Sequence, residues 1–153
     1  MFLKKKIKTI DTELNELSQL LFLDEKGSFP KQEVLLSIPN DYLIDSLKLI
    51  DHYLEAIREA NELEENYHSL VLRVGAYVGE VIKINSKKEY HWYDFKTAKK
   101  LQPSMKDWEE QIGTAAILYS AETDEMTFPI NKVCKFIENG SEDSLFSYAK
   151  VMI

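Results

Sequence analysis

Glu80 directly follows two glycines, Gly75 and Gly79, in a run (residues 70–84) that otherwise reads as a helix. A glycine in a helix interior costs about 1 kcal/mol relative to alanine. Two of them need a reason, and close approach of another element to bare backbone supplies one. Gly75 and Gly79 lie one turn apart and so share a face. A carboxylate beside such a contact is held rigidly. It is then either the rim of a tight helix packing or, with Tyr77 nearby, a group that faces a ligand or partner. The segment is not a phosphate loop: the spacing is wrong, and no lysine directly follows the second glycine.

The second group is Tyr90-His91-Trp92-Tyr93-Asp94-Phe95. With the two-residue period of a strand, Tyr90, Trp92 and Asp94 share one face and His91, Tyr93 and Phe95 the other. Either both faces are covered, or one aromatic set is exposed as a partner contact, for which Trp and Tyr are common anchors. The third group is 128–140, Phe-Pro-Ile-Asn-Lys-Val-Cys-Lys-Phe-Ile-Glu-Asn-Gly. It places Asn131, Lys132 and Lys135 on the polar side of a short helix. These three groups make Tyr77, Glu80, His91, Trp92, Asn131, Lys132 and Lys135 the candidate binding residues.

Other chemistry finds little support. Glu65 and His68 have the Glu-x-x-His spacing of di-iron bundles, but such sites need a second copy. Neither His52 nor His91 has an acid three residues before it, and no zinc-protease spacing exists, so no metal or cofactor is expected. Cys134 is the only cysteine, which excludes an internal disulfide and fits a reducing compartment. It falls in the apolar register of its helix, a core position. No Gly-x-Ser-x-Gly elbow is present, and no catalytic residue is assigned.

The chain of 153 residues is the size of one domain, 1–153, and at 44% hydrophobic it can bury a sizeable core. The start Met1-Phe2-Leu3-Lys4-Lys5-Lys6 resembles a signal peptide, but Asp11, Glu13 and Glu16 interrupt the apolar region that should follow. A cytoplasmic location without membrane contact is the expectation. The net charge of −7 disfavours nucleic acid as a partner. Charge is also segregated. From 83 to 106 seven lysines stand against Glu89 and Asp94, and from 51 to 65 six acids stand against Arg58. Two solvated faces would explain this, as would a partner site or the two ends of a homodimer contact.

The elements that must position these groups follow from periodicity. Ile7, Ile10, Leu14, Leu17 and Leu21 mark an amphipathic helix over 7–23. A loop over 24–30 follows, with Gly27 and Pro30 as breakers. A second helix begins at Pro39-Asn40-Asp41, capped by Asn40 or Asp41, with Ile44, Leu47, Ile50, Leu54 and Ile57 as its stripe. A turn over 61–66 leads to the glycine-bearing helix. The pattern then changes to strands at 90–95, 113–121 and 126–128, the last two joined by a turn at 122–125. Pro129 opens a helix that Asn139-Gly140 ends with a left-handed cap. Ser141 caps a last helix containing Leu145, Phe146, Ala149 and Val151. The expected fold is α+β: N-terminal helices on a small antiparallel sheet, then two short C-terminal helices.

The Gly-Ala-Tyr-Val-Gly-Glu run at 75–80, the strand with Trp92, the segment 128–140 and the acidic-serine run 141–144 resemble a bacterial family known as a domain of unknown function. The resemblance covers roughly the second half of the chain. It implies a bacterial cytosolic protein and carries over no catalytic residue. Small acidic bacterial proteins of this kind include immunity proteins that neutralise toxins. The expected function is a non-enzymatic protein–protein interaction module with a protein partner. The alternative is a small-molecule binder or enzyme using Glu80 with His91 or Trp92.

Overall fold

A computed structural model describes residues 2–23, 29–62 and 66–153; the side chains of residues 2–4, 6 and 7 fall outside that description. The architecture is α+β and mostly helical, with seven helices and three strands among the described residues. Helix α1 (Phe2–Leu23) precedes a one-turn helix α2 (Gln32–Leu36) and the longer α3 (Ser46–Glu59) and α4 (Tyr67–Asn85). Strand β1 (His91–Asp94) runs directly into α5 (Phe95–Leu101). Strands β2 (Ala116–Ser120) and β3 (Glu125–Thr127) form the hairpin, and α6 (Pro129–Asn139) and α7 (Leu145–Met152) complete the chain. The sheet is antiparallel in the order β1-β2-β3. Trp92 lies opposite Leu118, and Leu118 in turn opposite Thr127. No helix among the described residues is long and apolar enough to cross a membrane.

Helix α4 is the centre of the molecule. Every residue from Val74 to Ile82 is buried, so it is covered on all sides, as a helix apolar nearly all round must be. Helix α1 lies along one side of it and α6 along another. The expected stripe of α1 is partly borne out: Leu14 and Leu21 are buried and Ile10 and Leu17 half-buried, while Ile7 lies outside the described side chains. A second, smaller apolar cluster sits on the far face of the sheet, where Tyr93, Phe95, Ala98, Met105, Ile117 and Tyr119 pack together.

Several boundaries differ from those the sequence suggests. The helix expected from Pro39-Asn40-Asp41 begins only at Ser46. The Asp41 carboxylate instead accepts from the Leu43 amide at 2.9 Å, and Tyr42 has a φ of 57°. Asp41 therefore closes a local turn of the kind short acidic side chains favour. Ser141 does not cap the last helix. Residues Ser141–Asp143 form a short 3-10 turn, and the Ser144 hydroxyl caps α7 by accepting from the Ser147 amide at 3.2 Å. Gly140 has the positive φ expected of it, 85°, but its ψ of −151° lies far from a left-handed cap. Only glycine adopts that region readily. Helices α2 and α5 carry no periodicity long enough to reveal them. The loop expected over 24–30 and the turn over 61–66 fall largely on residues outside the description, although Asn61 does turn with a φ of 56°.

Candidate functional site

The two helical glycines are contact points. A Cβ placed on Gly79 would lie 2.0 Å from Trp92 Cζ2, and one on Gly75 would lie 2.7 Å from the Cα of Ile130. The Trp92 indole of β1 therefore packs against the α4 backbone at one glycine, and the start of α6 presses on the other. Gly113 plays the same part from the opposite side, with Asn131 Oδ1 2.6 Å from its would-be Cβ. Residues Ile130 and Asn131 are thus clasped between two bare stretches of backbone.

Three of the expected site residues, Glu80, His91 and Trp92, are brought together, and Asp11 and Asn15 of α1 join them. Glu80 is only 3% exposed. Its Oε1 accepts from Asn15 Nδ2 at 2.6 Å and its Oε2 from the Trp92 indole N–H at 2.9 Å, with Lys83 Nζ 3.3 Å away. Lys83 reaches Asp11 Oδ1 at 3.1 Å, and the same oxygen accepts from the Trp92 backbone amide at 2.7 Å. Asp11 Oδ2 meets His91 Nδ1 at 2.6 Å, and His91 Nε2 meets Glu89 at 3.1 Å. Burial pulls the His91 pKa down, but the hydrogen bonds to Asp11 and Glu89 outweigh it and hold the imidazole above its ordinary value. Every carboxylate oxygen of Asp11 and Glu80 has a partner, as buried charge requires. The network pins α1 to α4 and β1. Neither of the two pockets described below includes Glu80.

Tyr77 is fully buried one turn before Glu80. It stacks on Tyr42 with centroids 5.0 Å apart, and its hydroxyl lies 2.7 Å from Ser46 Oγ. Lys132 pairs with Asp143 at 2.7 Å. Both faces of β1 are covered, Trp92 by the main core and Tyr93 by the smaller cluster. Cys134 is half-buried against the core, and burial pushes its thiol pKa up. Among the described residues no group of three metal-ligating side chains converges, and Glu65 lies outside them.

The two remaining candidates, Asn131 and Lys135, line a groove of about 410 Å³. One wall is the start of α6, with Phe128, Asn131 and Lys135; the other is the loop that supplies Trp108, Glu109, Gln111 and Thr114. Trp108 is 42% exposed, yet it is firmly held. Its amide donates to the Met105 carbonyl at 2.9 Å, its own carbonyl accepts from Lys99 Nζ at 2.8 Å, and its ring packs on Phe128 with centroids 5.6 Å apart. Gln111 and Thr114 close a reciprocal capping box that braces the same loop. Sequence reasoning did not single out Trp108. The available signal was one large aromatic residue inside the otherwise polar run 106–111.

A second pocket of about 480 Å³ lies between α3 and the start of α7. Its polar groups are mostly committed to the fold. Asp51 accepts from Ser144 Oγ at 2.6 Å and from the Leu145 amide at 2.8 Å, against burial that holds its pKa above the usual carboxylate range. Glu55 Oε1 holds Arg58, which in turn donates to the Ile137 carbonyl at 2.9 Å. The segregated charge is also partly neutralised: Glu62 pairs with Lys31, Lys83 with Asp11 and Lys88 with Glu125. Comparison with known proteins leaves the chain without a match, since no family model, no curated protein and no solved structure aligns with it.

Proposed function

We propose that the protein is a non-enzymatic protein-interaction module of the bacterial cytosol, immunity-like in kind, and that it holds its partner at the Trp108 groove. The observation that carries this reading is a solvent-facing tryptophan fixed by two backbone hydrogen bonds and a ring contact at the mouth of a preformed groove. Tryptophan is among the residues most enriched at interface anchors, which sit in well-packed pockets, and Trp108 stands at a groove and on a neighbouring ring. Rigidity also lowers the entropy lost on binding. Small-molecule chemistry at Glu80 with His91 or Trp92 has less support, because both Glu80 oxygens are engaged inside the protein.

The test is affinity capture with cross-linking, comparing the wild-type chain with Trp108→Ala and with Leu49→Ala, a control at another exposed apolar residue. A specific partner should bind the wild type and the control equally and Trp108→Ala at least about thirtyfold more weakly, the usual loss at an anchor residue. Trp108→Ala should lower the melting temperature by no more than a few degrees, the loss of one ring contact. A partner held equally by all three chains would move the interface elsewhere.

A further inference from the structure

The two walls of the Trp108 groove differ in chemistry. The loop wall offers the Trp108 indole and the Glu109 carboxylate; the α6 wall offers Asn131 and Lys135, one turn apart on a single helix face. Lys135 is exposed, and among the described residues it is in no ion pair. Asn131 lines the groove with its Oδ1 close to Gly113, and its side-chain amide has no hydrogen-bond partner among the described residues. On the same reading that places a protein partner here, we infer that the segment received by the groove carries a large apolar side chain beside a carboxylate. The apolar side chain rests on Trp108 and Phe128, and the carboxylate faces Lys135 and Asn131.

Each part of this follows from a group with unspent capacity. The tilted Trp108–Phe128 pair presents aromatic surface that is incompletely covered, and an aromatic or branched aliphatic side chain removes that surface from water. An ammonium and an amide donor on one helix face suit an acceptor with two oxygens. Glu109 repels a carboxylate on the opposite wall, so it sets the direction of the segment and rejects the reversed one. A groove of about 410 Å³ is within the range that takes one or two residues of a peptide. Outside the groove the exposed charges nearly balance, Lys96, Lys100 and Lys106 against Asp107 and Glu110. Discrimination therefore falls to Lys135 and Asn131.

The experiment is selection of a random heptapeptide library on the full-length chain, with Lys135→Glu and Trp108→Ala as parallel baits. Selected peptides are then titrated by calorimetry. The wild type should enrich peptides with Phe, Trp, Tyr or Leu next to Asp or Glu. Replacing that acid by its amide should weaken binding about fivefold on the wild type, the scale of a solvent-edged ion pair, and should not weaken it by as much as about twofold on Lys135→Met, where Asn131 and Glu109 remain. Lys135→Glu should select a basic residue at the same place. Enriched peptides that need Trp108 but bind equally well without the acid would overturn this inference and leave the interaction reading standing. Peptides indifferent to Trp108→Ala, or no enrichment, would overturn both. Binding only by free aromatic carboxylates would overturn the choice of a peptide segment.

Discussion

Replacing Gly79 with alanine sets two opposing effects against each other. The helix gains about 1 kcal/mol of intrinsic propensity. The new Cβ, however, would sit 2.0 Å from Trp92 Cζ2, and the indole is fully buried with its N–H bound to Glu80. Overpacking of this kind costs about 3 kcal/mol, so Gly79→Ala should lower the urea-unfolding free energy by about 2 kcal/mol. An alanine variant as stable as the parent would show that the indole slides aside freely. His91 supplies a pH signature at the same scale. Its folded pKa is raised above 6.5 by Asp11 and Glu89 despite burial, so its contribution is full below the unfolded value and is lost as pH rises through the folded one. Stability measured from pH 5.5 upward should decline through that window. The decline should be absent in His91→Gln and reduced in Asp11→Asn, where Glu89 still holds the imidazole.

Among the elements, α7 depends on a residue from another helix. Asp51 of α3 accepts from the Leu145 and Phe146 amides, while Ser144 bonds both Asp51 and the Ser147 amide. Removing the carboxylate in Asp51→Ala should cost about 2 kcal/mol, the upper end for loss of a cap. The α7 amides should then exchange with solvent well before those of α3. This cap also marks the limit of what the sequence discloses. The apolar stripe of α3 is legible because burial repeats every three or four residues, α4 because it is apolar nearly all round, and the glycine pair announces a close contact without naming what makes it. The aromatic run at β1 is legible as a strand, but not how far it extends, because Phe95 already belongs to α5. The network around Glu80 leaves no local trace. Asp11 bonds Trp92 across 81 residues and Asn15 bonds Glu80 across 65, and no period links partners so distant. Of the candidate site, Asn131 and Lys135 were legible as a polar helix face, whereas Trp108 was not, since a loop residue's exposure depends on what folds beneath it.

At the scale of the molecule, α4 is the element that everything else leans on. Helix α1, the sheet through Trp92, and α6 all pack on it, and its residues from Val74 to Ile82 are buried. Opening α4 therefore means opening the whole core, so its amides should show the slowest hydrogen exchange in the chain, at the global unfolding free energy. Those of α2 and the 106–111 loop should exchange far sooner. Protection in α4 no greater than in α1 would mean that α1 and α4 come apart as one unit. The two tryptophans divide along the same line, Trp92 sealed in the core at 0% exposure and Trp108 at 42% on the rim. With only two in the chain, the protein carries its own pair of optical probes. Blue-shifted emission shielded from iodide reports the integrity of the core. Red-shifted emission open to iodide reports the groove. A ligand that quenches or shifts only the second component is therefore seen to bind without unfolding anything, and a denaturant that moves the first is seen to unfold the chain whether or not the groove is filled.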